Sequence, residues 1–135
     1  VKYTEQAYPI GKTEKMNVQN KASLYWQRAR KSGCFKNPDD DIFGTDALRQ
    51  IWRNHLLGLA IIQEGEIDIF YSLTLFPDGN HHFHEYITIY RSLLVKEEQA
   101  KVFGCTFEKY ISAISGSTDF EIWKAWLEKR YAIAT

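Results

Sequence analysis

Five polar side chains stand out for what they could do together: Lys2, Glu5, Gln50, Arg53 and Asn54. Lys2 lies in a short β-prone stretch, residues 1–4, that stops at Glu5. Gln50 and Asn54 sit one helical turn apart. A lysine at the end of a buried strand, facing the polar half of a helix, suits phosphodiester hydrolysis. In that chemistry a metal held by carboxylates activates a water that a Lys or Gln orients. The ammonium also offsets charge growing on the phosphate. A second set is basic: Lys21, Arg28, Arg30, Lys31 and Lys36, with no acid between Lys21 and Lys36 and with Tyr25 and Trp26 interleaved. Such a patch could hold phosphates by charge and a base by stacking. The same residues also fit a solvated helix face with two aromatics turned to the core.

Other constellations fail on spacing. His81, His82 and His84 are one, two and three residues apart, and no nearby Cys or His completes a zinc set. Pro38-Asp39-Asp40-Asp41 lacks the alternating ligands, central glycine and late glutamate of a calcium loop, so it reads as a solvated turn. No GxSxG, HExxH, Walker or dinucleotide-binding pattern occurs.

The elements that must position the first set centre on residues 44–63, GTDALRQIWRNHLLGLAIIQ. This stretch predicts a helix of about five turns, with Thr45 as N-cap and Asp46 at the positive end of its dipole. Leu48, Ile51, Trp52, Leu56, Leu59 and Ile62 make one broad apolar face. On the other, Gln50 and Asn54 give way to Leu57 and Ile61, which suits a helix buried on both sides whose first half looks into a polar site, and equally fits Gln50 and Asn54 being exposed or satisfied by backbone.

Upstream, residues 6–15 read as an irregular connection. Asn20 caps a helix running to about Lys31 and ended by Ser32-Gly33. Downstream, Ile67 to Leu75 alternate as an inner strand covered on both faces, closed by the Pro77-Asp78-Gly79 turn. With residues 1–4 this makes a strand–helix–strand crossover. Asn80 caps a helix to about Leu94. Thr106 opens one with Phe107, Tyr110, Ile111 and Ile114 inward. Thr118 and Glu121 form a capping box for a last helix bearing Phe120, Trp123, Trp126, Leu127 and Tyr131.

The 135 residues are one domain by length, and 44% hydrophobic with 15% aromatic is enough for a dense core. Seventeen basic and seventeen acidic residues give no overall nucleic-acid signal. No apolar run reaches membrane-spanning length and no signal peptide is visible. Cys34 and Cys105 stand alone without CxxC spacing. Free thiols in a reducing compartment, and so a cytoplasmic protein, are expected.

VKYTE, then FGTDALRQIWRNHLLGLAI, then a strand, a PDGN turn and a helix carrying Tyr90-Arg91 together resemble the restriction-endonuclease-like nucleases of the PD-(D/E)xK superfamily. The resemblance covers most of residues 1–115. It implies an α/β fold whose core runs helix, three strands, helix, strand. Val1-Lys2 would be the last two positions of Glu-x-Lys, making Lys2 the catalytic lysine. The 44–63 helix would be the second core helix and residues 66–76 the final core strand. Gln50 falls where related nucleases often place a glutamine facing the metal site. Their usual tyrosine four residues on is Asn54 here. Arg53, Asn54 and Glu5 would serve phosphate or supporting contacts. The resemblance further implies Mg2+, a DNA substrate and a possible homodimer. The first core helix, the Asp strand and the Glu before Val1 are not in this sequence. The chain is therefore expected to be a C-terminal portion of a nuclease domain, without hydrolytic activity on its own. The alternative is a non-catalytic nucleic-acid or protein binding module whose working face runs from Lys21 to Lys36. A third option is a helical tail that mediates oligomerisation.

Overall fold

A computed structural model of the chain describes residues 9–131, the side chain of residue 131 excepted. The stretch 1–4, with Lys2 and Glu5 beside it, lies outside the described residues. Among the described residues, seven helices and two strands follow in the order α1 (Lys12–Gln19), α2 (Leu24–Ser32), α3 (Arg49–Gln63), β1 (Ser72–Phe76), α4 (His81–Ser92), α5 (Lys96–Gln99), β2 (Val102–Thr106), α6 (Phe107–Ser112) and α7 (Thr118–Tyr131). A 3-10 turn, Asp41–Gly44, precedes α3. The fold is mixed α/β with a small parallel sheet, the expected class.

The central helix forms, but it is shorter than its periodicity predicts. Asp40 caps the 3-10 turn by accepting from the Ile42 N–H at 3.0 Å. The Thr45 hydroxyl donates back to the Ile42 carbonyl at 2.7 Å. Thr45 thus closes the turn instead of capping α3, which starts at Arg49. The expected apolar face packs as read. Ile51, Trp52, Leu56 and Leu59 are buried with Leu48 just before them. Trp52 stacks on Phe43 at 5.6 Å and meets Trp26 at 4.6 Å, so aromatic burial from α2, the 3-10 turn and α3 builds the core. The second face is open: Asn54 is exposed and Leu57 is 66% exposed.

The region before α3 departs from expectation. A helix begins at Lys12, inside the predicted connection, and Asn20 ends it. The Asn20 side chain accepts from the Ala22 N–H at 3.0 Å, which favours a turn over continued helix. α2 then starts after Ser23 and stops at Gly33, whose φ of 68° is left-handed.

β1 spans only the last five residues of the predicted 66–76 strand, because its partner sets its length. Ser72 pairs with Val102 and Phe76 with Thr106 in a parallel ladder. Among the described residues the sheet has two strands. Upstream of Ser72 no described ladder exists, and Ile69 and Tyr71 are exposed. The strand is covered on one face: Ser72 and Phe76 are buried, whereas Leu73 is half exposed. The sequence reading missed β2. Its central Gly104 looks like a breaker, but Ile87 of α4 and the Phe76 ring lie 3.0 Å from where its Cβ would stand. Close helix-on-strand packing therefore favours glycine, since any side chain there would push Ile87 or Phe76 back by a few tenths of an ångström.

Asn80 does precede α4, but its side chain makes no cap bond, and its Oδ1 is buried without a partner. Thr106 caps α6, accepting from the Lys109 N–H at 3.3 Å. Of the predicted inward residues of α6, Ile111 is buried and Tyr110 is exposed. In α7 the Phe120 and Glu121 N–H groups donate to the Ser117 carbonyl, so the helix begins one residue earlier than the Thr118 cap would set it. Phe120, Trp123 and Trp126 are exposed, not packed inward. Among the described residues no helix is long and apolar enough to cross a membrane.

Gly58 gives the packing a direct test. A Cβ there would stand 2.3 Å from the Phe70 ring, which lies flat on α3. Gly58→Ala should gain helix propensity but force that ring away, for a net loss of about 1 kcal/mol. A urea midpoint at or above wild type would show that Phe70 moves freely.

Candidate functional site

The polar half of α3 is held by α1. Arg49 is buried, with Nε 3.1 Å from Asp46 Oδ1 and Nη1 3.4 Å from Glu14 Oε1. The other Glu14 oxygen is 3.4 Å from Arg53 Nη1. One carboxylate on α1, 13% exposed, therefore bridges two guanidinium groups a turn apart on α3. A buried arginine needs such a partner, because an unpaired charge there would cost several kcal/mol, on the order of 3–5. Arg53 is nearly half exposed. Gln50 is half-buried and Asn54 exposed beside it, and no described residue hydrogen-bonds either side chain. The result is a cluster of donors, Arg53, Gln50 and Asn54, on one helix surface with a fixed cation at its edge. Such a surface can bind an anionic oxygen.

Lys2 and Glu5 fall outside the described residues. Among the described residues, no group of three His, Cys, Asp or Glu side chains could hold a metal ion. Magnesium takes several oxygen ligands, with carboxylates preferred. Residues 9–131 do not fit a magnesium centre by themselves.

The basic set is brought together with acids rather than left bare. Arg28 pairs with Glu64 and also donates to Gln63 Oε1 at 3.1 Å. Arg30 grips Asp39 through Nε at 2.9 Å and Nη2 at 2.5 Å. That hydrogen-bonded guanidinium holds the Asp39 carboxyl below its usual range. Lys21 lies 2.6 Å from Asp41 and 3.3 Å over the Trp26 ring. Lys31 is exposed. Trp26 is buried and Tyr25 half-buried against Trp52. Asp39 thus ties down α2, Asp41 holds Lys21 ahead of it, and Asp40 caps the 3-10 turn, which gives the acidic turn a structural task.

Two residues of this site escaped the sequence reading. Arg49 was findable, since it sits one turn before Arg53 on the same helix. Glu14 was not, because its helix has no apolar stripe to announce it; no residue of α1 is buried.

A family model described as the PD-(D/E)XK nuclease superfamily matches residues 1–133. No curated protein and no solved structure matches the chain. The matched span takes in both Lys2 and the α3 surface, together with the parallel β1–β2 unit. The chain belongs to the PD-(D/E)XK nuclease superfamily.

Proposed function

We propose that this protein hydrolyses phosphodiester bonds in DNA, with magnesium as cofactor bound by carboxylates outside residues 9–131. The observation that carries this reading is the family match across residues 1–133, a span that includes Lys2 and all of α3. Magnesium, when bound, supplies an activated water and Lewis-acid stabilisation.

The chain's own residues divide the remaining work. Lys2 stabilises charge on the phosphate and helps activate the water. Gln50 orients that water. Arg53 and Asn54 contact the phosphate, with Glu14 fixing the Arg53 guanidinium so that little side-chain entropy is lost on binding. Glu5 serves as a supporting acid. Of the basic set, Lys31 and Lys36 are the exposed cations left to contact DNA, because Lys21, Arg28 and Arg30 engage the chain's own acids.

The experiment is DNA affinity as a function of salt. Arg53→Ala should weaken binding and reduce the slope of log affinity on log salt by about one. Arg28→Ala should leave the slope unchanged, because that cation neutralises Glu64. An altered slope for Arg28→Ala with none for Arg53→Ala would move the DNA face to α2.

A further inference from the structure

A hollow of about 320 Å³ lies away from the α3 donor face, between the end of α2, the second half of α3, residues 68–70 and α5. Cys34, His55, Leu59, Ile62 and Phe70 line it, with Lys31, Asp68, Glu98 and Lys101 around them. Its volume is at the lower end of the about 300–1,000 Å³ usual for small-molecule sites.

Hydrogen accounting fixes what His55 offers. His55 and Tyr90 are both buried, and His55 Nδ1 is 2.8 Å from the Tyr90 hydroxyl. The phenol proton has no other described acceptor. If Nδ1–H donated to the phenol oxygen, that proton would be orphaned in the core, at a cost of about 1–3 kcal/mol. Tyr90 therefore donates and Nδ1 accepts, which leaves the ring proton on Nε2. No described residue accepts from Nε2, and His55 lines the hollow. Burial lowers the His55 pKa to about 4, so the ring is a neutral donor at pH 7.

The charges around the hollow sum to zero. Lys101 sits 2.8 Å from Glu98, and Lys31 and Asp68 add one charge of each sign to the lining. Burial also pushes the Cys34 thiol up, which keeps it uncharged. An anion gains nothing net in such surroundings. The apolar walls are flat: Phe70 stacks beside His55 with centroids 5.9 Å apart and planes 25° apart.

We propose that this hollow binds a small uncharged nitrogen heterocycle of nucleobase size, with a carbonyl or ring nitrogen accepting from His55 Nε2–H and the ring face beside Phe70. This goes beyond the nuclease reading and does not depend on it.

The test is an NMR titration of the protein labelled with 15N at histidine, using uracil, cytosine and adenine as probes and inorganic phosphate as the charged control. A saturable shift of the His55 Nε2 resonance with at least one base, and none with phosphate, is expected. Phe70→Ala removes a partly exposed wall, leaves the core intact and should weaken that binding tenfold or more. The wild-type titration and Phe70→Ala together decide. The proposal is overturned by no saturable shift with any base at millimolar concentration. A stronger response to phosphate, or a titration unchanged in Phe70→Ala, overturns it equally.

Discussion

Replacing Lys2 by alanine is expected to slow DNA cleavage by the full-length protein on the order of 10²–10³-fold, the usual loss when one group that stabilises transition-state charge is removed. Affinity for DNA should change little, because charge builds on the phosphate only as the reaction proceeds. A fall in the rate constant without a matching fall in affinity therefore separates this role from simple phosphate binding. Single-turnover cleavage beside a binding isotherm makes the measurement. Lys2→Arg should recover little, since a planar guanidinium cannot take the place of a compact ammonium. Equal cleavage by wild type and Lys2→Ala would remove Lys2 from the mechanism.

The second large effect is on stability in acid. His55 is 1% exposed, and burial is the main cause that lowers its pKa from 6.5 to about 4 in the folded chain. The unfolded chain therefore binds the proton first as pH falls. The stability is fully present above about pH 6.5 and is lost progressively as pH drops toward 4. The whole shift is worth on the order of 3 kcal/mol. Below the folded pKa the imidazolium would sit in the core against Phe35 and Tyr90, with its Nδ1 no longer able to accept from the phenol. Urea midpoints from pH 7.5 to 4.5 check this. Wild type should lose stability across that window, whereas His55→Asn, less stable throughout, should lose much less. Parallel pH profiles for the two proteins would contradict the assignment.

The core was legible where burial followed one period. Ile51, Trp52, Leu56 and Leu59 announced α3, and Thr106 announced its helix because a cap is a local event. Elements whose existence depends on distant partners were not. β2 is five residues with a central glycine, and the close approach of Ile87 and Phe76 to Gly104 shows only in the packed fold. The alternation from Ile67 to Tyr71 looks like strand, yet β2 reaches only to Ser72. α7 carries an aromatic pattern that reads as core, and Phe120, Trp123 and Trp126 are exposed. The site divides in the same way. Gln50, Arg53 and Asn54 could be read from one helix, whereas the Glu14 bridge joins two helices 35 residues apart in sequence. The His55–Tyr90 bond likewise spans 35 residues, and each residue alone looks like ordinary core.

The most direct test of the central claim, that Lys2 and Gln50 act on one phosphate, is a double-mutant cycle on single-turnover cleavage of DNA in magnesium. Lys2→Ala, Gln50→Ala and the double variant are compared with wild type. Residues serving one reacting centre are strongly non-additive, so the double variant should be scarcely slower than Lys2→Ala alone. Losses that multiply, or a Gln50→Ala protein as fast as wild type, would contradict the account.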